Sequence, residues 1–246
     1  MIRHQSGYWI HDGDLARLDA EVISEVVKGD CYKVKNIPPG NVFVDVGAHI
    51  GCVAHLYHLH CPQAKIVCVE AAAENIDVLT ANVGHFATVI HAACTYDQDV
   101  RLLTSFVPNA TATGGSRVVR SGYPVEAFHH SVALDERPLA TITLEEIARR
   151  VGEPIEIVKL DCEGSEFSIL RNSTEAQKAK YLFGEYHDQA EWDELRSDIY
   201  RHWTYRNPHR AGGLGVFHLL NPMAHAWDVV VGTVRDRDTG KVVFER

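Results

Sequence analysis

The stretch VDVGAHIGCVAHLYHLH, residues 44–60, runs an apolar segment into Asp45-Val46-Gly47-Ala48-His49-Ile50-Gly51 and then into a segment carrying His55, His58 and His60. Glycines at 47 and 51 free the backbone to turn sharply and approach a ligand closely. A helix starting just after them offers unpaired N–H groups at its N-terminus. Strand, glycine turn and helix in that order open the nucleotide-binding α/β folds. With the helix begun near Ile50, His55 and His58 lie about 60° apart around its axis, the separation of a metal pair, but His60 is about 140° from His55. No carboxylate or thiolate recurs on that face. The stretch therefore divides at Gly51 into a cofactor turn and a supporting helix, and His49 alone among its histidines takes a functional place.

Outward from the turn the same alternation repeats. KIVCVE (65–70), TVIHAAC (88–94), IEIVKL (155–160) and KYLFGEYH (180–187) are short runs, apolar almost throughout, separated by the helical patterns AENIDVLTANVGHF (73–86) and TLEEIA (143–148). Such runs separated by helices signal strands buried on both faces of a parallel sheet. The expected fold class is α/β: a Rossmann-like, mostly parallel twisted sheet with helices on both faces. Before it, residues 15–27 carry apolar side chains at 15, 18, 22, 23, 26 and 27, an amphipathic helix. NIPPG at 36–40 breaks the chain, so residues 1–39 are expected as a helical cap and 40–246 as the α/β domain, together one compact unit. Residues 104–138, rich in Gly, Ser, Thr and Pro, interrupt the alternation as an expected substrate loop. At the end, two strands joined at Asp238-Thr239-Gly240 are expected to close the sheet as an antiparallel hairpin.

The balance of 24 basic against 33 acidic residues gives a formal charge of −9, without the electrostatic footprint of a nucleic-acid binder. No run approaches the length of a membrane span and the first residues lack a signal-peptide pattern, so the expected location is cytoplasmic. The six cysteines stand singly, as core thiols do.

Chemistry concentrates at strand ends. In the D-x-G-x-x-x-G turn the acid precedes the glycines, unlike the G-x-G-x-x-G of dinucleotide sites. Asp45 would repel a phosphate but can organise the turn's amides or, through water, an ammonium group. Glu70 ends the next strand nineteen positions after Gly51, suited to accept hydrogen bonds from ribose hydroxyls. Together they describe an adenosyl ligand with an amino-acid tail, S-adenosylmethionine. Lys159-Leu160-Asp161-Cys162-Glu163-Gly164-Ser165-Glu166 follows a central strand, and acids gathered at such a crevice are costly unless they bind something. A helix N-terminus accounts for Glu163 and Glu166 better than for Asp161.

VDVGAHIG, VCVEAAAENIDVLTANV and VKLDCEGSE, with TLEEIA before the last, resemble the motifs of FkbM-type class I S-adenosylmethionine-dependent methyltransferases over about residues 40–190. Ala71 stands where that family has proline, and His49 where asparagine is common. The resemblance implies that Gly47, Ala48, His49 and Gly51 line the methionine and sugar side of the cofactor. It implies that Glu70 holds the ribose and that Asp161 lies near the amino-acid end and the acceptor, with Asn75 bracing the helix. Methyl transfer to a hydroxyl calls for a base. Glu185 and His187, alternating about Tyr186, share one face of an extended chain, where the carboxylate would fix the imidazole's tautomer. Glu163 and, in the polar interruption, Ser116 are the expected acceptor contacts. Alternatively Asp161, Glu163, Glu185 and His187 converge on a divalent ion; no metal is predicted. The expected activity is O-methylation of a small natural product, sugar or modified peptide. An N-methyltransferase, a nicotinamide-dependent oxidoreductase and a non-catalytic binding module are the alternatives.

Overall fold

The computed structural model describes residues 1–107, 110–120, 132–135, 139–211, 214–223, 227–230, 233–236 and 242–245, by backbone alone at 104–107, 110–116, 132–135, 206–211, 214 and from 227 onward. A seven-stranded sheet organises it. Its strands, in chain order, are β1 (Val42–Val46), β2 (Lys65–Glu70), β3 (Ala87–His91), β4 (Ile157–Leu160), β5 (Tyr181–Tyr186), β6 (Thr204–Ala211) and β7 (Leu214–Leu220). In space they run β6-β7-β5-β4-β1-β2-β3. The five strands β1 to β5 are mutually parallel, and β7 runs antiparallel to both β5 and β6. The chain leaves β1 toward one edge and returns through β4 toward the other, so the carboxyl ends of β1 and β4 frame the crevice in which open α/β sheets hold ligands.

Burial on both faces explains the unbroken apolar strands. Along β1, Phe43 points to one side while Val42, Val44 and Val46 point to the other. The first side is covered by α2 (Cys52–His60) and α3 (Ala73–Val83), whose Ala54, Tyr57, Val78 and Leu79 join Phe43. The second is covered by α4 (Leu144–Val151), α5 (Glu166–Asn172) and α7 (Gln189–Asp198), through Leu144, Ile147, Ile169, Trp192 and Leu195. Between α5 and α7 in the chain lies α6 (Thr174–Lys178). Caps fall where the side chains dictate: Thr143 accepts from the Glu146 amide and Asp188 from the Ala190 and Glu191 amides.

The N-terminal segment forms α1 (Leu15–Val22) and a π-helical turn, Ile23–Lys28. Its Tyr8, Ile23, Val26, Tyr32 and Ile37 belong to the same core cluster as Phe43 and Tyr57. Among the described residues no helix is long and apolar enough to cross a membrane.

Two expectations are corrected. The interruption is strand, not loop: Val100–Val107, Ala110–Arg120 and Val132–Asp135 make an antiparallel sheet of three. Its ends are brought together where Ala93–Cys94 pairs in parallel with Thr141–Ile142. Residues 108–109, 121–131 and 136–138 of that stretch lie outside the described residues. Nor do the C-terminal strands close the main sheet. The expected antiparallel hairpin is present, Thr233–Asp236 pairing with Val242–Glu245, but among the described residues these strands and Trp227–Val230 form a sheet of their own, and the antiparallel edge of the main sheet is taken by β6 and β7. The turn proposed at 238–240 is outside the described residues.

Candidate active site

The turn after β1 is built around close backbone contact. Gly47 has φ +72°, and a Cβ there would sit 1.7 Å from the Asp161 carbonyl oxygen, so the ends of β1 and β4 touch only because 47 is glycine. The Gly47 and Ala48 amides donate to the Val69 carbonyl at 2.9 and 3.1 Å, tying the turn to β2. Gly51, φ +87°, is the N-cap of α2, and its missing side chain makes room for Val83 and Leu79 of α3 rather than for a ligand.

Asp45 lies beneath this turn, fully buried, accepting from the Ala54 amide at 3.1 Å. Its counter-ion is Lys159, whose Nζ stands 3.2 Å from Asp45 and 3.7 Å from Asp161 and donates to the Gly47 carbonyl at 2.6 Å. Burial opposes the lysine charge, but the two carboxylates outweigh it and raise its pKa above the usual value. Asp45 is thus enclosed with Lys159 instead of facing a ligand. Lys159 was not singled out from the sequence, although a lysine inside the apolar run IVKL is itself a signal, because a buried ammonium demands paired acids.

Glu70, at the end of β2, is held from three directions. One oxygen accepts from the His49 amide at 2.8 Å, and the other from the Ala72 amide at 2.9 Å and Asn75 Nδ2 at 3.2 Å. His49 has φ +50°, and its Nε2 stands 3.7 Å from Asp19 of α1. Burial lowers its pKa against the pull of Glu70 and Asp19, favouring the neutral imidazole. Asp19, fully buried, also accepts from the His11 amide and Nδ1, each at 2.8 Å.

The ends of β4 and β5 form the acidic side. Glu163 (φ +53°) and Gly164 (φ +111°) turn the chain into α5, whose first residue, Glu166, is fully buried. Glu166 accepts from the Gly164 amide at 2.6 Å, the His187 amide at 3.1 Å and His187 Nδ1 at 2.7 Å. His187 Nε2 stands 3.3 Å from Glu163 and 3.9 Å from Glu185. Burial disfavours the imidazolium, but hydrogen bonds to Glu163 and Glu166 override it and lift the pKa to about 11. A pKa raised this far favours the imidazolium over the free base that the sequence suggests, and the residue that orients the ring is Glu166 rather than Glu185.

Glu185 is placed differently. Tyr32, from the N-terminal segment, donates to Asp161 at 2.7 Å and reaches Glu185 at 3.1 Å. Burial and the neighbouring Asp161 raise the Glu185 pKa to about 7, in spite of His187, Tyr32 and Lys159. For Asp161 burial acts in the same upward sense, but Lys159 and His187 prevail and hold it below the usual carboxylate range. Asp161, Glu163 and His187 bring ligand atoms within 4.8 Å of one another, a spacing a cation can use. An imidazolium caged by Glu163 and Glu166 accounts for the same geometry.

One cavity joins the two sides. Gly47, Ala48, His49 and Glu70 form one end and Asp161, Glu163 and Glu185 the other. Ala92, Ala93, Leu102 and Val118 give it an apolar wall, and Val22, Val26 and Tyr32 bring the N-terminal segment over it. Asp45, Gly51 and His187 stand behind this lining rather than in it. Ser116 falls in the strand Ala110–Arg120, and its side chain is outside the described residues. Tyr32 and Asp19 were not found from sequence; nothing local marks them, because their partners lie far along the chain.

This sheet order, with a carboxylate-bounded cavity at the carboxyl ends of β1, β2 and β4, is the architecture of a class I S-adenosylmethionine-dependent methyltransferase. Residues 45–206 match the model of the methyltransferase FkbM domain, and the chain belongs to that family. Methyltransferase sdnD of Sordaria araneosa is 35% identical over 69 residues, 28% of this chain. The match spans about a quarter of that relative's length, 27%. Among solved structures, a methyltransferase from Geobacter sulfurreducens superposes with a TM-score of 0.47 at 10% identity, covering 86% of this chain and 93% of its own. The plantazolicin methyltransferase BpumL, solved with a monoazolic desmethylPZN analog and SAH, gives 0.45 at 8%, covering 85% and 90%.

Proposed function

We propose that the chain transfers the methyl group of S-adenosylmethionine to a hydroxyl of a small natural product, sugar or modified peptide, as a cytoplasmic enzyme. The observation that carries the oxygen acceptor is Glu185: a carboxylate on the cavity wall whose pKa is raised to about 7 suits the removal of a hydroxyl proton near neutral pH.

The residues fit the cofactor by their chemistry. Glu70, its two oxygens oriented by the His49 and Ala72 amides, is the ribose acceptor in this reading. Gly47, Ala48 and His49 hold the methionine and sugar side, and the apolar wall takes the adenine. The cofactor supplies an electrophilic methyl carbon on a sulfonium, a cation suited to the Asp161 end. Glu185 would take the acceptor's proton as the hydroxyl is methylated, with the neutral thioether as the leaving group. Glu163 contacts the acceptor. Enclosure by residues 1–39 excludes water and aligns the reactants, which is most of what such a displacement requires.

Calorimetric titration with S-adenosylhomocysteine, followed by mass spectrometry of candidate acceptors, tests the proposal. Tight thioether binding and a single methyl increment on oxygen are expected. NAD binding with no response to the thioether, or methylation at nitrogen, overturns it.

A further inference from the structure

The residues that match the family model begin at 45. Tyr32 lies before them, yet it closes the acidic end of the cavity. Its ring is fixed by an edge-on contact with Phe183 at 6.2 Å and by the Lys159 ammonium 5.9 Å from its centroid. It is 4% exposed. Packed in this way, the hydroxyl is directed between Asp161 Oδ2 at 2.7 Å and Glu185 Oε1 at 3.1 Å. A phenol has one proton to give, and here two carboxylates from adjacent strands face it. Without it, like charges would meet across a water-poor gap, and the pair would retain a proton.

We propose that Tyr32 is the positioning residue of the acceptor centre, holding the Asp161 and Glu185 carboxylates on either side of one phenolic hydroxyl so that Glu185 is available to take the acceptor's proton. The inference rests on reading Glu185 as the proton acceptor. The groups facing Glu185 are Asp161 and Lys159 from β4, His187 from the end of its own strand, and Tyr32 with the adjoining Cys31 from the N-terminal segment. Of these, Tyr32 is the neutral donor within hydrogen-bond distance. Burial, followed by Asp161 and Glu185, holds its own pKa well above the usual phenol value, so it remains a donor throughout the range in which Glu185 titrates.

The test follows the Glu185 side-chain carboxyl by carbon NMR in glutamate-labelled protein, the resonance assigned by its loss in Glu185→Gln. Tyr32→Phe removes the donor with the ring kept, and the titration midpoint of Glu185 is expected to rise by about one pH unit, the worth of one hydrogen bond to a charged group. A fluorotyrosine placed at position 32 keeps the hydroxyl and makes it a stronger donor, so the midpoint is expected to fall. It also decides the matter should the phenylalanine variant not fold. A midpoint unmoved in either folded protein, or moved in the same direction by both, overturns the proposal. The same samples are titrated with S-adenosylhomocysteine. Binding kept in Tyr32→Phe separates positioning at the acceptor end from loss of the cofactor site. Failure of the unaltered protein to bind the thioether would sink the methyl-transfer reading and leave the Tyr32 result standing on its own.

Discussion

Replacing Gly47 by alanine tests whether the turn after β1 is glycine for the sake of the protein's own backbone. At φ +72° an L side chain costs about 1–2 kcal/mol from local sterics. The new Cβ would lie 1.7 Å from the Asp161 carbonyl oxygen and 2.7 Å from its carbon, main-chain atoms of the neighbouring strand end that cannot swing aside. Overpacking of that kind adds about 1–3 kcal/mol, for a total of about 2–5 kcal/mol. Gly152 is the internal control: it has φ +76° and nothing within 4 Å of a Cβ, so Gly152→Ala should cost only the local term. Gly51→Ala falls between, because the atoms it meets are the side-chain ends of Val83 and Leu79. Urea unfolding followed by tryptophan fluorescence ranks the three, and calorimetry with S-adenosylhomocysteine reads the site. Gly47→Ala should weaken binding even where it folds, because the displaced end of β4 carries Asp161 and the altered turn itself carries the Gly47 carbonyl that accepts from Lys159. Equal destabilisation by Gly47→Ala and Gly152→Ala, with thioether affinity intact, would refute the reasoning.

Glu70→Ala strands the His49 and Ala72 amides and should weaken S-adenosylhomocysteine by about 1–3 kcal/mol; an unchanged Kd in folded protein would remove Glu70 from the ribose. Lys159→Met leaves buried Asp45 without its cation and should cost about 3–5 kcal/mol in urea unfolding, part of it recovered by adding Asp45→Asn; a cost near zero would mean that the pair is not charged. For His187 the folded pKa is raised from 6.5 to about 11, so its stabilisation is complete below pH 6.5 and fades as the pH climbs toward 11. Unfolding curves of the unaltered protein and His187→Gln should therefore converge at alkaline pH, and a gap independent of pH would contradict an imidazolium. Once an acceptor is found, methyl transfer should rise through about pH 7 as Glu185 ionises, and Glu185→Gln should abolish the rise.

The parallel core was legible because burial on both faces leaves a mark in composition: IVKL and VFVDV allow few other readings. The insertion was not. ATATGGSRVVR has the glycines and threonines of a loop, and it is a strand because Val100–Val107 pairs with it, a tertiary fact no local pattern carries. The C-terminal strands were found, but their partners could not be, since strand identity does not specify which edge a strand joins. At the site, the strand-end acids Glu70, Asp161 and Glu185 were legible as positions, each standing where a strand meets the crevice. Their roles depend on neighbours. Glu185 and His187, two residues apart, looked like one dyad, but Glu166 and Tyr32 divide them into an imidazolium cage and a separate carboxylate. Asp45 was legible as an acid that organises the turn, but not the buried cation that pairs with it, because Lys159 comes from the adjacent strand.

Tyr32 meets Asp161 across 129 residues of chain and Glu185 across 153. On a ribosome adding about 5–20 residues per second, the tyrosine would leave the exit tunnel roughly 8–30 s ahead of its second partner. For that interval the segment bearing Ile23, Val26 and Tyr32 has only part of its final packing available, and the acidic end of the cavity does not exist. The later-made β5 thus decides when Tyr32 acquires its partners, and a chain stalled before β5 would hold the Gly47 turn without the pair of acids that completes the cavity.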